Sequence, residues 1–372
     1  MTTPVSPPTP SDGTTPVTDP APAVAIIVPC HNEEAFVGEL LDQLVAQLPA
    51  RSGWRAVLVD DRSGDATGAT LDRAATAHPD LFVVHHGHYG SPGGARSAAV
   101  VIAEHAAQRA GDPPPQWVLT TDVDVVLPAA WLADWAAALA AVHDDETVGA
   151  VNGEEAQQHL LEPFPRARQL SDRFGEVVVR SEALLGVTNL NGVNHAVRRS
   201  AYETCGPYLQ PTAPGPDGPV VLAGEDWDLG VRLRQAGYRI ASADIVVADR
   251  GRRLLADLRA YLGGTAYEGA FERVEPTAPA TDLTTSELDA LWSGTARRAL
   301  LHFYFKPLLA VPSLLEGDVG LSEATLAAMR AWIARWPAPT FAESRNGFLY
   351  GRLPRFVDAF VGPVLDELGL SR

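Results

Sequence analysis

Trp117-Val118-Leu119-Thr120-Thr121-Asp122-Val123-Asp124-Val125-Val126 is the stretch whose reading decides the fold. An apolar run that then presents two carboxylates, one residue apart, is the pattern of a buried strand ending at a site. On an extended segment residues i and i+2 point to one side, so the spacing predicts that Asp122 and Asp124 face one ligand. Hard oxygen donors of this kind suit Mg²⁺ or Mn²⁺, which bind few protein carboxylates and fill their shell with water and substrate phosphates. By itself an Asp-x-Asp pair also fits a solvated turn, so the flanking chain has to decide.

Upstream, the strand-then-polar-cluster unit recurs. Val24-Ala25-Ile26-Ile27-Val28 is a β-branched run that stops at Pro29, as a buried parallel strand does. Asn32-Glu33-Glu34 is expected to open a helix, with acidic residues at the positive end of its dipole. Phe36, Val37, Leu40, Leu41, Leu44, Val45 and Leu48 keep helical spacing. A second strand, Trp54–Val59, closes on Asp60-Asp61-Arg62-Ser63-Gly64-Asp65, and a helix follows from about Ala66 to Ala77. Leu81–Val84 is a third strand; Gly90-Ser91-Pro92-Gly93-Gly94 then leads into an Ala-rich helix over 95–109. The order β-α-β-α-β-α-β implies a parallel sheet with helices on its faces and a ligand crevice at the carboxyl ends of the strands. Three polar clusters fall on that one edge.

Downstream, Trp131–Val142 reads as a helix, Val148–Gly153 as a strand and 162–186 as helical. Val187–Asn194 runs into Ala196-Val197-Arg198-Arg199-Ser200. The Pro/Gly-rich segment 206–220 reads as a long loop near a site. A helix starts at Gly224-Glu225-Asp226-Trp227-Asp228-Leu229, and Ile240–Ala248 is the last clear strand. After a Pro/Thr-rich break at Pro276–Thr285 the chain is mainly amphipathic helix: Leu288–Tyr304, Ser322–Trp336 and Arg355–Leu368. The expected division is a disordered Pro/Thr-rich leader at 1–22, an α/β domain at 23–250 with halves 23–126 and 127–250, and a mainly helical extension at 251–372.

A chain of 372 residues with 46% hydrophobic and 20% charged residues is an ordinary globular composition. A net charge of −17 argues against nucleic-acid binding and against electrostatic adhesion to anionic lipid. Arginine supplies almost all the positive charge, Lys306 being the only lysine, a bias that reads as coding composition. Cys30 and Cys205 are far apart and outside any metal-binding spacing, which points to two buried thiols in a reducing compartment. There is no signal-peptide pattern, and no apolar run approaches the roughly 18–20 residues that span a bilayer. The expected location is cytoplasmic.

Val28-Pro29-Cys30-His31-Asn32-Glu33, Val59-Asp60-Asp61-Arg62-Ser63-Gly64-Asp65-Ala66-Thr67, Asp122-Val123-Asp124 and Gly224-Glu225-Asp226-Trp227-Asp228-Leu229 occur in that order. Together, over about residues 24–250, they resemble the signature blocks of the family-two inverting glycosyltransferases, which have the GT-A fold. The resemblance implies an α/β, Rossmann-like, mostly parallel sheet flanked by helices, and a nucleotide-diphospho-sugar as donor, a UDP-sugar favoured. It makes Asp61 the carboxylate that accepts a hydrogen bond from the nucleotide base, with Pro29, His31 and Glu33 around the same pocket; Asp60 or Asp65 takes the helix-capping share. Arg96, after Gly93-Gly94, is placed to hydrogen-bond a phosphate or the base. Asp124 is expected on Mn²⁺ or Mg²⁺, with Asp122 on the ribose or a metal-bound water. Asp226 becomes the general base beside Glu225, and Gly192, within Asn191-Gly192-Val193-Asn194, lets the backbone approach the donor sugar. At the first helical turn the dipole favours the Asp226 anion, so its pKa should be low unless burial raises it. Trp227 fits either a sugar-stacking or a core role. Many relatives carry a histidine near Asp249-Arg250-Gly251-Arg252-Arg253 that completes the metal shell; this chain has none, which leaves the third ligand open.

The function implied is sugar transfer to a hydroxyl of a small-molecule, natural-product or glycan acceptor. Apolar, aromatic Leu301–Val311 leaves peripheral membrane contact open, as a homodimer is left open. Two other readings stand beside it: a nucleotide-sugar-binding protein without turnover, and a sugar-phosphate nucleotidyltransferase. Intact Asp122, Asp124 and Asp226 count against the first, and Pro29-Cys30-His31-Asn32, which is not a glycine-rich basic signature, counts against the second.

Overall fold

A computed structural model describes residues 22–50, 53–186, 189–209, 212–215, 218–221, 224–251, 254–255, 257–263, 281–335 and 345–370. The expected leader, save Pro22, lies outside the described residues, as do Arg252, Arg253 and the first half of the Pro276–Thr285 break.

Four parallel strands open the sheet: β1 (Val24–Cys30), β2 (Trp54–Asp61), β3 (Phe82–Gly87) and β4 (Trp117–Thr121). The helices between them are α1 (Val37–Gln47), α2 (Thr67–Ala77) and α3 (Pro92–Ala110). Then follow β5 (Val125–Val126), α4 (Trp131–Ala141), β6 (Val148–Ala156), α5 (Pro165–Leu185), β7 (Asn194–Arg198), α6 (Arg199–Cys205), α7 (Glu225–Gln235) and β10 (Arg239–Asp249). The sheet order is β3-β2-β1-β4-β7-β6-β10-β5. This is the expected α/β arrangement of a mostly parallel sheet flanked by helices.

β1 is buried on both faces, as a central parallel strand must be. Its alternation assigns the two cores. Ile26 and Val28 point into one apolar layer with Leu40, Leu44, Trp131 and Trp135; Ala25 and Ile27 point into the other with Ala99, Val100, Leu229 and Leu233.

Three expectations change. The helix predicted to open at Asn32-Glu33-Glu34 begins only at Val37, because Asn32 takes φ +56° and the Glu33 carbonyl closes a turn by accepting from Phe36 and Val37 N–H at 3.0 and 2.9 Å. The 206–220 segment is not wholly irregular: β8 (Thr212–Gly215) and β9 (Gly218–Val221) form an antiparallel hairpin, where Pro214 and Pro219 are tolerated because both strands are edges. Finally, β4 ends at Thr121, so residues 122–124 make a turn rather than extended chain. Val123 is buried between two half-buried aspartates, and the same-face argument for Asp122 and Asp124 does not apply to a turn.

β7 runs antiparallel between β4 and β6, with Thr121 paired to Asn194. That register sets the start of β7, and Gly192 just before it, beside the carboxyl end of β4. Asn194 locks the strand in place. Its side-chain oxygen accepts from the Trp131 and Trp135 indoles at 3.0 and 3.1 Å, and its amide donates to the Glu154 and Ile245 carbonyls.

The C-terminal region is mainly helical: α8 (Leu258–Gly263), α9 (Thr285–Leu300), a π-helical turn (Leu301–Phe305), α10 (Lys306–Ala310), α11 (Glu323–Ala334) and α12 (Arg345–Glu367). Thr284 and Glu287 form a reciprocal capping box at the start of α9. Tyr304, Phe305, Leu308, Met329, Phe356 and Val364 share an apolar core with Val177 and Leu185 of α5.

Candidate active site

The loops after β1 and β2 are stitched together. His31 Nδ1 donates to the Asp61 carbonyl at 2.7 Å, Asn32 N–H to Ser63 Oγ at 3.0 Å and Gly64 N–H to Asn32 Oδ1 at 2.8 Å. Glu33 N–H donates to Thr67 Oγ1 at 2.7 Å, and Glu34 N–H to Asp65 at 3.1 Å. Asn32 and Arg62, one in each loop, both hold left-handed backbone, with φ +56° and +60°. Such conformations persist only where surrounding contacts over-determine them.

Asp65 reaches the start of α2, whereas Asp60 braces its own loop. Asp60 accepts from Ser63 N–H at 3.0 Å and contacts His86 at 2.8 Å; against the upward push of burial, these hydrogen bonds hold its pKa below the usual carboxylate range. Asp65 accepts from the Thr67 backbone and hydroxyl. Asp61 is buried and accepts Tyr89 N–H at 2.5 Å on one oxygen. His31 is exposed, Pro29 half-buried and Glu33 buried, so all four expected nucleotide-side residues sit at one strand edge.

Arg96 joins that edge to the other half of the crevice. It is 2% exposed, its Nε donates to Thr120 Oγ1 at 3.1 Å, and its terminal nitrogens bind Glu225, Asp122 and the Gly192 carbonyl, the last at 3.1 Å. The arginine expected to meet a phosphate or the base thus directs its N–H groups to protein acceptors. Burial would lower its pKa, but Asp122, Glu225 and Asp226 outweigh that and keep it protonated. The glycines before it serve packing: a Cβ on Gly93 would stand 2.9 Å from Glu225 Cβ. The backbone that approaches there is met by α7, not by open space.

Asp226 follows Glu225 in the first turn of α7 and is half-buried. Burial, then the charge of Glu225, raise its pKa to about 7, while Arg96, the Trp227 N–H and Lys306 pull the other way. Burial thus overrides the helix dipole. A carboxylate poised near neutrality is suited to taking a proton. A Cβ on Gly192 would lie 3.1 Å from Asp226 Oδ2, so the missing side chain keeps this face of the carboxylate clear.

Asp124 sits in the turn beside the last strand, its carbonyl accepting Arg250 N–H at 3.1 Å. Close by, the Glu155 and Asp249 carboxyls meet, bridged by Gln157, which donates 2.7 Å to Asp249 and 3.1 Å to Glu155. Burial and the Asp249 charge push the Glu155 pKa well up, and Asp122 adds to it. Among the described residues no three His, Cys, Asp or Glu side chains converge on one metal position. Two half-buried aspartates in a locally anionic setting fit a hard cation completed by substrate oxygens, and among the described residues no third such side chain joins them.

Sequence reasoning missed His302 and Lys306, which lie against Trp227, at 4.2 Å and 4.5 Å from its ring centroid. Trp227 is therefore a packing anchor for the C-terminal helices. The signal was present: Lys306 is the only lysine. Its isolation in sequence from every motif hid it.

The fold defines an α/β protein with its candidate site at the carboxyl edge of the sheet, and comparison with known proteins identifies its family. Residues 20–298 match the glycosyltransferase like family 2 profile, and the chain belongs to that family, with a sheet of GT-A type. It is 26% identical over 225 residues to a beta-monoglucosyldiacylglycerol synthase of Synechocystis, covering 60% of this chain and 42% of that one. It is 27% identical over 267 residues to a pre-mycofactocin glycosyltransferase of Mycobacterium tuberculosis, covering 69% and 49%. The match thus spans less than half the length of either relative. Among solved structures, a mannosyltransferase from Pyrobaculum calidifontis in complex with GDP-Man and Mn²⁺ aligns over 94% of this chain and 88% of that one, at 18% identity and a TM-score of 0.45.

Proposed function

We propose that the protein is a metal-dependent, inverting glycosyltransferase. It would move a sugar from a nucleotide-diphospho-sugar, a UDP-sugar by preference, to an acceptor hydroxyl. The observation that supports this best is the buried Arg96, which holds the Asp122 turn, the Gly192 backbone and the first turn of α7 in one cluster, with Asp226 at its edge.

Asp226 accepts the acceptor's hydroxyl proton as the oxygen forms its bond to the anomeric carbon. The bond from that carbon to the diphosphate breaks on the opposite face, and its electron pair leaves with the nucleoside diphosphate. Glu225, paired to Arg96, orients the turn that carries the base. Asp61, with Pro29, His31 and Glu33, holds the nucleotide base side. Asp124 and Asp122 would hold Mg²⁺ or Mn²⁺, which would supply Lewis-acid stabilisation of the leaving diphosphate. Arg96 acts by fixing Asp122 and Glu225. Acceptor choice is assigned to 154–186, 206–222 and 254–372, with the chain divided into a leader (1–22), a transferase domain (23–250) and an extension (251–372).

Thermal-shift and calorimetric titration with UDP, GDP, dTDP and their sugars, with and without Mn²⁺, tests this on wild type and Asp124→Ala. Stabilisation by one nucleotide, enhanced by Mn²⁺ and lost in Asp124→Ala, is expected. Absence of nucleotide binding in both proteins overturns the reading. Binding without release of nucleoside diphosphate across an acceptor panel points instead to a binding protein.

A further inference from the structure

Lys306 is 2% exposed in a chain whose other 28 positive residues, from a total of 29 Lys and Arg, are arginines. Its ammonium lies 4.5 Å from the Trp227 ring centroid. The π-helical turn Leu301–Phe305 brings it there. By widening the helix between α9 and α10 it presents His302, Phe303 and Lys306 to one partner, with His302 and Phe303 edge-on to the indole at 4.2 and 5.2 Å. Val231 of α7 packs on Ala310, and Gln235 donates to the Ala310 carbonyl at 3.5 Å. The segment 301–310 is thus docked along α7, the helix that carries Asp226 in its first turn. A compact ammonium suits a closed pocket on an indole face better than a planar guanidinium with five donors to satisfy.

We propose that Lys306 is a positioning residue for the transfer reaction, a buried counter-charge from the C-terminal extension that keeps Asp226 ionised and so makes the extension part of the active site. The inference rests on Asp226 being the base. Around the pair, Asp226 and Asp228 favour the Lys306 charge and Arg234 opposes it. Asp228 also accepts Arg232 Nε at 2.8 Å, and of the two carboxylates Asp226 favours the Lys306 charge more strongly. Glu225 disfavours the Asp226 anion and Arg96 favours it; His302 is kept neutral by burial, Lys306 and Arg298. Burial pulls the Lys306 pKa down to about 7 against Asp226 and Asp228, so its charge depends on them.

The test is kcat/KM against pH, with melting temperature, for wild type, Lys306→Met, Lys306→Arg and Asp226→Asn, each assayed with the nucleotide-sugar that the wild type turns over. Removing the charge in Lys306→Met is expected to move the acid limb up by about one pH unit. Activity at neutral pH should fall about tenfold and return at higher pH, while the melting temperature reports separately any loss of stability from the stranded carboxylate. Lys306→Arg retains the charge and keeps the limb of the wild type, at a lower melting temperature because the guanidinium fits the pocket less well. An unmoved limb with a lower melting temperature in Lys306→Met, or a limb that moves down, overturns the inference. If Lys306→Met does not fold, Lys306→Gln carries the same comparison. An active Asp226→Asn overturns the base assignment itself; an inactive one with an unmoved limb in the Lys306 variants overturns only the role of Lys306.

Discussion

On the nucleotide side of the crevice, the loops after β1 and β2 hold one another through hydrogen bonds between residues 30 to 34 positions apart. On the transfer side, Arg96 joins groups 26, 96 and 129 positions away. The first region is a lattice of mainly backbone N–H donors on side-chain oxygens, the Asp60 and Asp65 carboxylates among them. The second is a buried charge held by carboxylates. Separate hydrogen bonds contribute modestly and fail one at a time, whereas a buried ion network fails as a unit, because each loss strands a charge.

The largest effect should come from breaking the charged side. Arg96→Met leaves Glu225 and Asp122 facing each other without their cation, and a loss of about 3–5 kcal/mol in stability is expected by denaturant titration. A change below about 1 kcal/mol would remove the contrast between the two regions. Asp226→Asn should lower kcat by about 10²–10⁴ while leaving nucleotide binding in place.

That variant also sharpens the comparison through pH. The folded pKa of Asp226 is raised from 3.8 to about 7, so its proton-linked stability is fully present below pH 3.8 and is lost as pH rises through about 7. Wild type should therefore lose melting temperature relative to Asp226→Asn across that window. Parallel curves would mean that the carboxyl is ordinary.

On the loop side the effects shrink. Thr67 is fully buried, and Thr67→Val orphans the Glu33 N–H, at a cost of about 1–3 kcal/mol. Circular-dichroism melts check this, and donor affinity should change less than in Arg96→Met. His86, raised above its usual pKa by hydrogen bonds to Asp72 and Asp60, gives the smallest effect. Its contribution is fully present below pH 6.5 and fades as pH rises through the raised value. Since nearly half its side chain is exposed, the melting deficit of His86→Gln should correspond to about 0.2–1 kcal/mol at pH 6 and shrink by pH 9.

The two regions were not equally legible. The Asn32–Glu33 and Asp60–Thr67 blocks are short segments whose partners lie in the next βα unit, so strand periodicity and the strand-end position of Asp61 were enough to place them. Even there, the left-handed Asn32 delayed α1 to Val37, which no propensity argument reveals. The Asp122–Asp124 stretch was placed correctly at the end of β4 and misread as extended, because the break into a turn depends on β5 pairing with the far end of β10. Arg96 was singled out without its protein partners: nothing in 93–97 tells that Glu225 fills the space above Gly93. Lys306 carried a compositional signal and no positional one.

By itself the sequence determined the alternating β-α order, the edge on which the polar clusters gather and the identity of the carboxylates, since hydrophobic period and strand-end chemistry are properties of ten or so consecutive residues. Only the tertiary structure decided which of those carboxylates meet. The antiparallel insertion of β7 sets Gly192 beside Asp122, and the π-helical turn lays the sole lysine against the helix of Asp226. Register and packing over a hundred residues of separation are outcomes of the whole core closing, and charge at a site follows from where that closure leaves it.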